Sequence, residues 1–303
     1  MDHSSCVRIF DGKSATLSAP SNVLVRGNLI EKISTDPIPT DRRGDTVLID
    51  GGGKTLMPGL IDAHVHTMME SIPLVVGLTS DIGYDPLDVA QYTSAEFAAA
   101  VSAAENWGTY VTVHAYTPKA IRTAVEAGVK CREHGQLIDG DTAKLLAEKG
   151  VWWSLQPFME DPDAPSAFAE GTPNRLKQKQ MFAGTDAAYQ LAKKYKIKTA
   201  FGTDMLFSPA NVVTQGKQLT RLKKWYSNAE ILIMATSQSA ELLTLSGPRN
   251  PYPGKLGVVE EGAYADLLLV AGNPLENLDL VADPEANFTV IMKDGTIYKR
   301  PAP

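Results

Sequence analysis

The chain reads as an α/β protein, a run of parallel βα units framed by short β-segments from both chain ends. Two patterns carry that reading. From His114 to about residue 204, β-branched and aromatic runs alternate with capped helical stretches across short connections, the signature of parallel strands with helical crossovers. Before residue 58 and after about residue 255 the pattern changes to period-two strands and tight turns. Residues 1–57 and 255–303 are therefore expected to build one small composite β-sandwich, and 58–254 the βα domain. A length of 303 residues suits one large domain with a smaller companion.

The elements follow in order. Val7–Phe10 alternates and stops at Asp11-Gly12; Asn22–Val25 turns at Gly27-Asn28 into Leu29–Ile33; Val47–Ile49 reads as a further strand before three glycines. Pro58-Gly59-Leu60-Ile61-Asp62-Ala63-His64-Val65-His66 is an apolar run bounded by Pro-Gly and reads as a buried strand. Ile72–Leu78 is apolar but broken by Pro and Gly, so helix or strand stays open there. Thr93-Ser94-Ala95-Glu96 is a capping box opening a helix that ends at Gly108. Tyr110–His114 is a strand, and Thr117-Pro118 supplies a cap and first-turn proline for a helix ending at Gly128. Val129–Gly135 and Val151–Gln156 are strands around a helix from Asp141 to Gly150. A Pro-rich loop is expected over about 158–176, then a helix near Phe182–Lys196, the Thr199–Asp204 segment, and two more helices, one opened by the box Ser227-Asn228-Ala229-Glu230. Leu267–Val270, Phe288–Met292 and Thr296–Tyr298 complete the strands.

Composition narrows the function classes. A 44% hydrophobic and 21% charged chain is ordinary globular protein. A net charge of −6 with no basic run argues against nucleic acid and anionic membrane surfaces as partners. No apolar run approaches a membrane span. Met1–Cys6 shows no charged n-region or apolar h-region, so a cytoplasmic location is expected, with a lost leader left open. Cys6 and Cys131 are too few for a disulfide framework, and Cys131 is expected to be a buried thiol.

The chemistry gathers at strand ends. Alternation puts His64 and His66 on one face, so both imidazoles point at one place, an arrangement suited to a divalent metal, most often zinc. Four of the five histidines (His64, His66, His114 and His134) fall at the C-terminal ends of strands, together with Asp204; His3 is tail. In a βα barrel those ends converge on the active face. Any one of these histidines alone would more often be packing; four with a carboxylate outweigh that reading. Tyr116, Arg132 and Gln156 lie near strand ends and could hold a substrate carboxylate or carbonyl, although a rim salt bridge for Arg132 and packing for Tyr116 read equally well. No glycine-rich phosphate loop follows a strand, which disfavours a flavodoxin-like nucleotide binder.

PGLIDAHVH, VTVHAY, EHG and FGTD in this order, followed by GKLGVVEEGAYADLLLV, resemble the metal-dependent amidohydrolase superfamily, in particular its imidazolonepropionase-like branch with the Xaa-Pro dipeptidases. The resemblance covers nearly the whole chain apart from about residues 67–90. It implies a TIM-barrel-derived (β/α)8 domain with a composite β-sandwich, and one or two divalent metal ions, zinc (Zn2+) by expectation. It implies His64, His66, His114, His134 and Asp204 as metal ligands, with Asp204 and His134 as the catalytic residues. It further implies hydrolysis of the C–N bond of a small substrate, an Xaa-Pro dipeptide or N-acyl amino acid, and assembly as homo-oligomers.

The spacing departs from that family in one place. His66 and His114 should bracket three βα units, yet 47 residues separate them, and a βα unit needs roughly 20 residues or more. Barrel strands 2–4 are thus expected to be incomplete, with an internal deletion near Gly83-Tyr84-Asp85. Between Lys54 and Lys119 there is no lysine to serve as the bridging ligand of two-metal members. The competing expectation is accordingly an impaired or inactive homologue that at most binds metal or a partner.

Overall fold

The computed structural model describes residues 6–39, 46–66, 87, 90–161, 166, 168–205 and 213–300. The chain forms two compact units, one of residues 1–61, 216–241 and 251–303, the other of 62–215 and 242–250.

In the first unit the N-terminal stretch supplies β1 (Arg8–Ile9), β2 (Asn22–Arg26), β3 (Leu29–Ser34) and β4 (Thr55–Pro58). The C-terminal stretch returns with β9 (Leu267–Val270), β10 (Phe288–Lys293) and β11 (Thr296–Lys299). Strands β1, β4, β9, β10 and β11 form one sheet in that order, and β2 pairs with β3 as a separate hairpin. The β10–β11 turn places Asp294 and Gly295 at φ 51° and 73°, the left-handed backbone that a two-residue hairpin of right-twisted strands requires. Ile30 of the hairpin is buried with Ile9, Val259 and Leu267 of the other layer, and Val23, Val25, Ile33 and Leu56 pack around them. Each such fully buried aliphatic side chain contributes about 1.5–3 kcal/mol, so the shared core joins the two layers into a sandwich.

Val47–Ile49 is not a strand: Val47 and Leu48 are 52% and 62% exposed. Apolar residues make a strand only where a partner edge and a core receive them, and these three have neither among the described residues.

The second unit holds the βα part. Helix α1 (Ser94–Asn106) opens with both halves of its capping box formed, Glu96 N donating to Thr93 Oγ1 and Thr93 N donating to Glu96 Oε2. Strand β5 (Thr112–His114) leads to α2 (Pro118–Glu126). Thr117 makes no side-chain cap bond there, contrary to expectation; the start rests on the fixed φ of Pro118 in the first turn. Strand β6 (Cys131–Glu133) precedes α3 (Gly140–Lys149), capped by the Asp139 carboxylate and stopped at Gly150 in the left-handed region. Strand β7 (Trp152–Ser154) precedes α4 (Pro173–Lys194), whose start at Thr172-Pro173 lies nine residues before the expected one. The Pro-rich stretch thus contributes a helix N-terminus as well as a loop. Strand β8 (Thr199–Ala200) ends the series, and β5-β6-β7-β8 is one parallel sheet. Strands β6 and β7 are buried on both faces, as parallel sheets covered by helices are.

The run 58–66 differs from the single strand expected of it. Ladder pairing stops at Pro58, the end of β4, and the boundary between the two units falls after Ile61. The run therefore serves two sheets. Residues 62–66 are extended chain beside the end of β8, where Ala63 N donates to Phe201 O at 2.8 Å and Asp204 N to His64 O at 2.9 Å. Among the described residues the parallel sheet has four strands with this segment alongside. Ile72–Leu78 and the Gly83–Asp85 junction lie outside the described residues. No helix among those described is long and apolar enough to cross a membrane.

Candidate metal centre

Two close approaches set the site. Asp62 lies just before the histidine pair, and its carboxylate accepts from His64 N and Thr203 N, both at 3.1 Å, and from Thr203 Oγ1 at 2.6 Å. Burial raises its pKa, and these three hydrogen bonds oppose the rise. Gly202 allows the strands to meet: a Cβ there would stand 2.6 Å from His64 Cβ. Together they hold the His64 segment against the segment carrying Asp204.

His64 Nε2 lies 3.1 Å and His66 Nε2 2.9 Å from the same oxygen, Asp204 Oδ1. One donor atom from each of these residues falls within 4.8 Å of the others, so the three are placed to hold one metal ion. Period two has brought both histidines to one face. Asp204 Oδ2 faces His134 Nδ1 at 3.8 Å. His134 and Asp204 both adopt left-handed backbone, with φ 67° and 51°, uncommon for residues other than glycine and concentrated at functional sites. At His134 this conformation breaks the strand alternation, so Glu133 and His134, adjacent in sequence, both face the His64 ring.

The remaining residues join to different degrees. His114 packs against His134 with ring centroids 4.2 Å apart, and Tyr116 stacks on His134 at 5.1 Å. Burial, then the charge of Asp204, raises the Tyr116 phenol, which stays a proton donor. Gln156 is buried; its Nε2 donates to Ser154 O and Oγ, and its Oε1 has no partner among the described residues. Cys131 is fully buried, and burial followed by the Glu133 charge pushes its thiol up.

Arg132 is not brought to the centre. One strand position from Glu133, it lies on the opposite face of β6, with its guanidinium carbon 3.7 Å from the Trp153 ring centroid and beneath Gly135. Its Nε, Nη1 and Nη2 have no partner among the described residues. Sequence reading passed over Glu133. Its Oε2 lies 2.7 Å from His64 Nδ1 and its Oε1 accepts from Thr112 Oγ1 at 2.7 Å. Burial tends to raise the Glu133 pKa, but hydrogen bonds from His64, Ser154 and Thr112 hold it below the usual value. Burial pulls His64 down, yet bonds to Asp204 and Glu133 lift it to about 10.

The donor set fits a divalent cation. Burial, then the neighbouring His114, His64 and Arg132 charges, press His134 well below its ordinary pKa, so its ring is neutral. Its Nδ1 is a buried polar atom without a hydrogen-bond partner among the described residues. Imidazole nitrogens gathered around one carboxylate are a nitrogen–oxygen ligand set suited to zinc and its neighbours.

Comparison with known proteins agrees with this architecture. The amidohydrolase family model matches residues 74–299, and the chain belongs to the amidohydrolase family. It is 26% identical over 218 residues to ochratoxinase from Aspergillus niger, a match over 72% of this chain and 44% of that protein. The chain thus spans less than half the length of that curated relative. Among solved structures, a crystal structure of an amidohydrolase superposes with TM-score 0.82 and 24% identity, covering 99% of each chain. A prolidase complexed with N-methylphosphonate-L-proline gives TM-score 0.82 and 22% identity over 98% of this chain and 99% of that one. The fold is accordingly the TIM-barrel-derived amidohydrolase architecture with its β-sandwich.

Proposed function

We propose that this chain is a metal-dependent amidohydrolase that cleaves the C–N bond of a small substrate, an Xaa-Pro dipeptide or an N-acyl amino acid. The hydrolytic domain is taken as residues 58–254. The observation that carries the reading is the convergence of His64, His66 and Asp204 donor atoms within 4.8 Å. The likeness to a prolidase structure and to ochratoxinase supports the choice of substrate class.

His64, His66 and Asp204 would hold one zinc-like ion, and His114 with His134 offer a second pair of nitrogens. A bound divalent ion brings a water toward ionisation at neutral pH and polarises the scissile carbonyl. The chain's own groups do the rest. Asp204 directs Oδ1 at His64 and His66, which leaves Oδ2, on the His134 side, to take a proton from the attacking water and pass it to the leaving amine. His134, neutral and buried, orients that carboxylate and donates its one ring N–H to the reacting carbonyl oxygen. Tyr116, protonated and stacked on His134, donates to a substrate oxygen, and the orphaned Gln156 Oε1 accepts from a substrate N–H.

A second reading, an inactive homologue that retains metal binding, is favoured by the 47-residue His66–His114 interval and the absence of lysine between Lys54 and Lys119. Hydrolysis of Ala-Pro and N-acyl amino acids by zinc-loaded protein separates the two. Turnover that falls by about 100-fold or more in Asp204→Asn supports the enzyme; no turnover from folded, metal-loaded protein across an amide panel supports the inactive homologue.

A further inference from the structure

We infer that Glu133 is a positioning residue that anchors the Nδ1 edge of the His64 ring and so keeps its Nε2 aimed into the metal site. The inference rests on the metal-site reading above. Glu133 is buried on β6, where its register partners are His114 on β5 and Ser154 on β7. Its carboxylate ties together three segments: Oε2 meets His64 Nδ1 at 2.7 Å, while Oε1 accepts from Thr112 Oγ1 at 2.7 Å and lies 3.7 Å from Cys131 Sγ. An ionised carboxylate only accepts, so the atom facing it, His64 Nδ1, must carry hydrogen. The opposite ring nitrogen, Nε2, is thereby held 3.1 Å from Asp204 Oδ1.

The loss of this contact shows why it matters. A ring without it is free to turn about its side-chain torsions, which carries Nε2 away from the Asp204 oxygen that it shares with His66 Nε2. Nothing else among the described side chains bonds to His64 Nδ1. Glu133 therefore decides whether the three donors stay convergent. Partners of this kind set metal affinity by about 10- to 100-fold.

Two readouts on this chain test this. The first is the Zn2+ dissociation constant by chelator competition; the second is the 1H–15N resonance of His64 Nδ1 in metal-free protein, which reports its hydrogen bond. Glu133→Ala should weaken zinc by about 10- to 100-fold and remove the hydrogen-bonded Nδ1–H signal. Glu133→Asp keeps the charge but falls short of the ring by one methylene, and should weaken zinc about tenfold. Glu133→Gln keeps an acceptor oxygen and should cost less than about tenfold. Asp139→Ala, which removes the α3 cap and only loosens the fold, should leave zinc affinity and the Nδ1 resonance unchanged. Parent-like zinc affinity and Nδ1 resonance in Glu133→Asp or Glu133→Ala would overturn the inference. If the parent itself binds no zinc, the metal-site reading fails; the Nδ1 comparison then still decides whether Glu133 anchors His64.

Discussion

Gly202→Ala should damage the centre without touching a ligand. Gly202 lies outside the left-handed region, so its role is close approach and not backbone freedom. An added Cβ would meet His64 Cβ at 2.6 Å, Gln156 Nε2 at 3.1 Å and His64 N at 3.2 Å. Carbon atoms pack at about 3.5–4.0 Å, so His64 would have to retreat by about 1 Å. It cannot turn away, because Cβ and N move only with the backbone. That backbone is held to the Asp204 segment by Ala63 N–Phe201 O and Asp204 N–His64 O. Overpacking of this kind costs about 1–3 kcal/mol, a fall of about 2–12 °C in Tm at the slope typical of larger domains. A shift of about 1 Å in one donor should also cost at least about tenfold in metal affinity, comparable to loss of a supporting partner. Thermal melts with and without zinc, and zinc competition on the folded variant, read both effects. A variant with parent Tm and parent zinc affinity would refute the close-approach argument.

Two further outcomes follow from the same geometry. Arg132→Met removes a buried guanidinium whose nitrogens lack partners among the described residues. The burial penalty relieved is several kcal/mol, and the stacking on Trp153 returns about 2 kcal/mol. Urea unfolding should show stability unchanged or up to about 3 kcal/mol higher, and a loss of 2 kcal/mol or more, on the order of a broken buried pair, would reveal an anion bonded to Arg132. Asp139 feels burial, which raises its pKa, but Thr142 and Arg122 bonds leave it below the usual value. A depressed carboxylate stabilises above its unfolded pKa of about 3.9 and loses that contribution as pH falls through its folded value. Asp139→Ala should therefore cost about 1 kcal/mol at neutral pH through the lost cap. The difference from the parent should narrow below about pH 4; a pH-independent gap in urea midpoints would contradict this.

The pairing of His64 with His66 was legible because its geometry is local. His64 and His66 share a face through period two, and the paired capping residues at Thr93/Glu96 and Ser227/Glu230 fix helix starts within four residues of chain. Glu133 was not legible, since its partner His64 lies 69 residues away. Strand alternation also misleads at that point: it separates Glu133 from His134, and the left-handed turn at His134 reunites them. The same alternation, applied strictly, puts Arg132 on the far face. The Pro58–His66 run read as one strand because its apolarity is continuous, whereas its hydrogen bonds change partner after Pro58. Val47–Ile49 shows the converse, strand-like residues left without an edge to join.

The most direct measurement is the metal content per chain of monodisperse protein after zinc loading and removal of free metal. Clustered His64, His66 and Asp204 donors predict about one zinc per chain, lost in His64→Ala. Folded protein that retains no zinc, or that retains the same amount after His64→Ala, would contradict the metal centre.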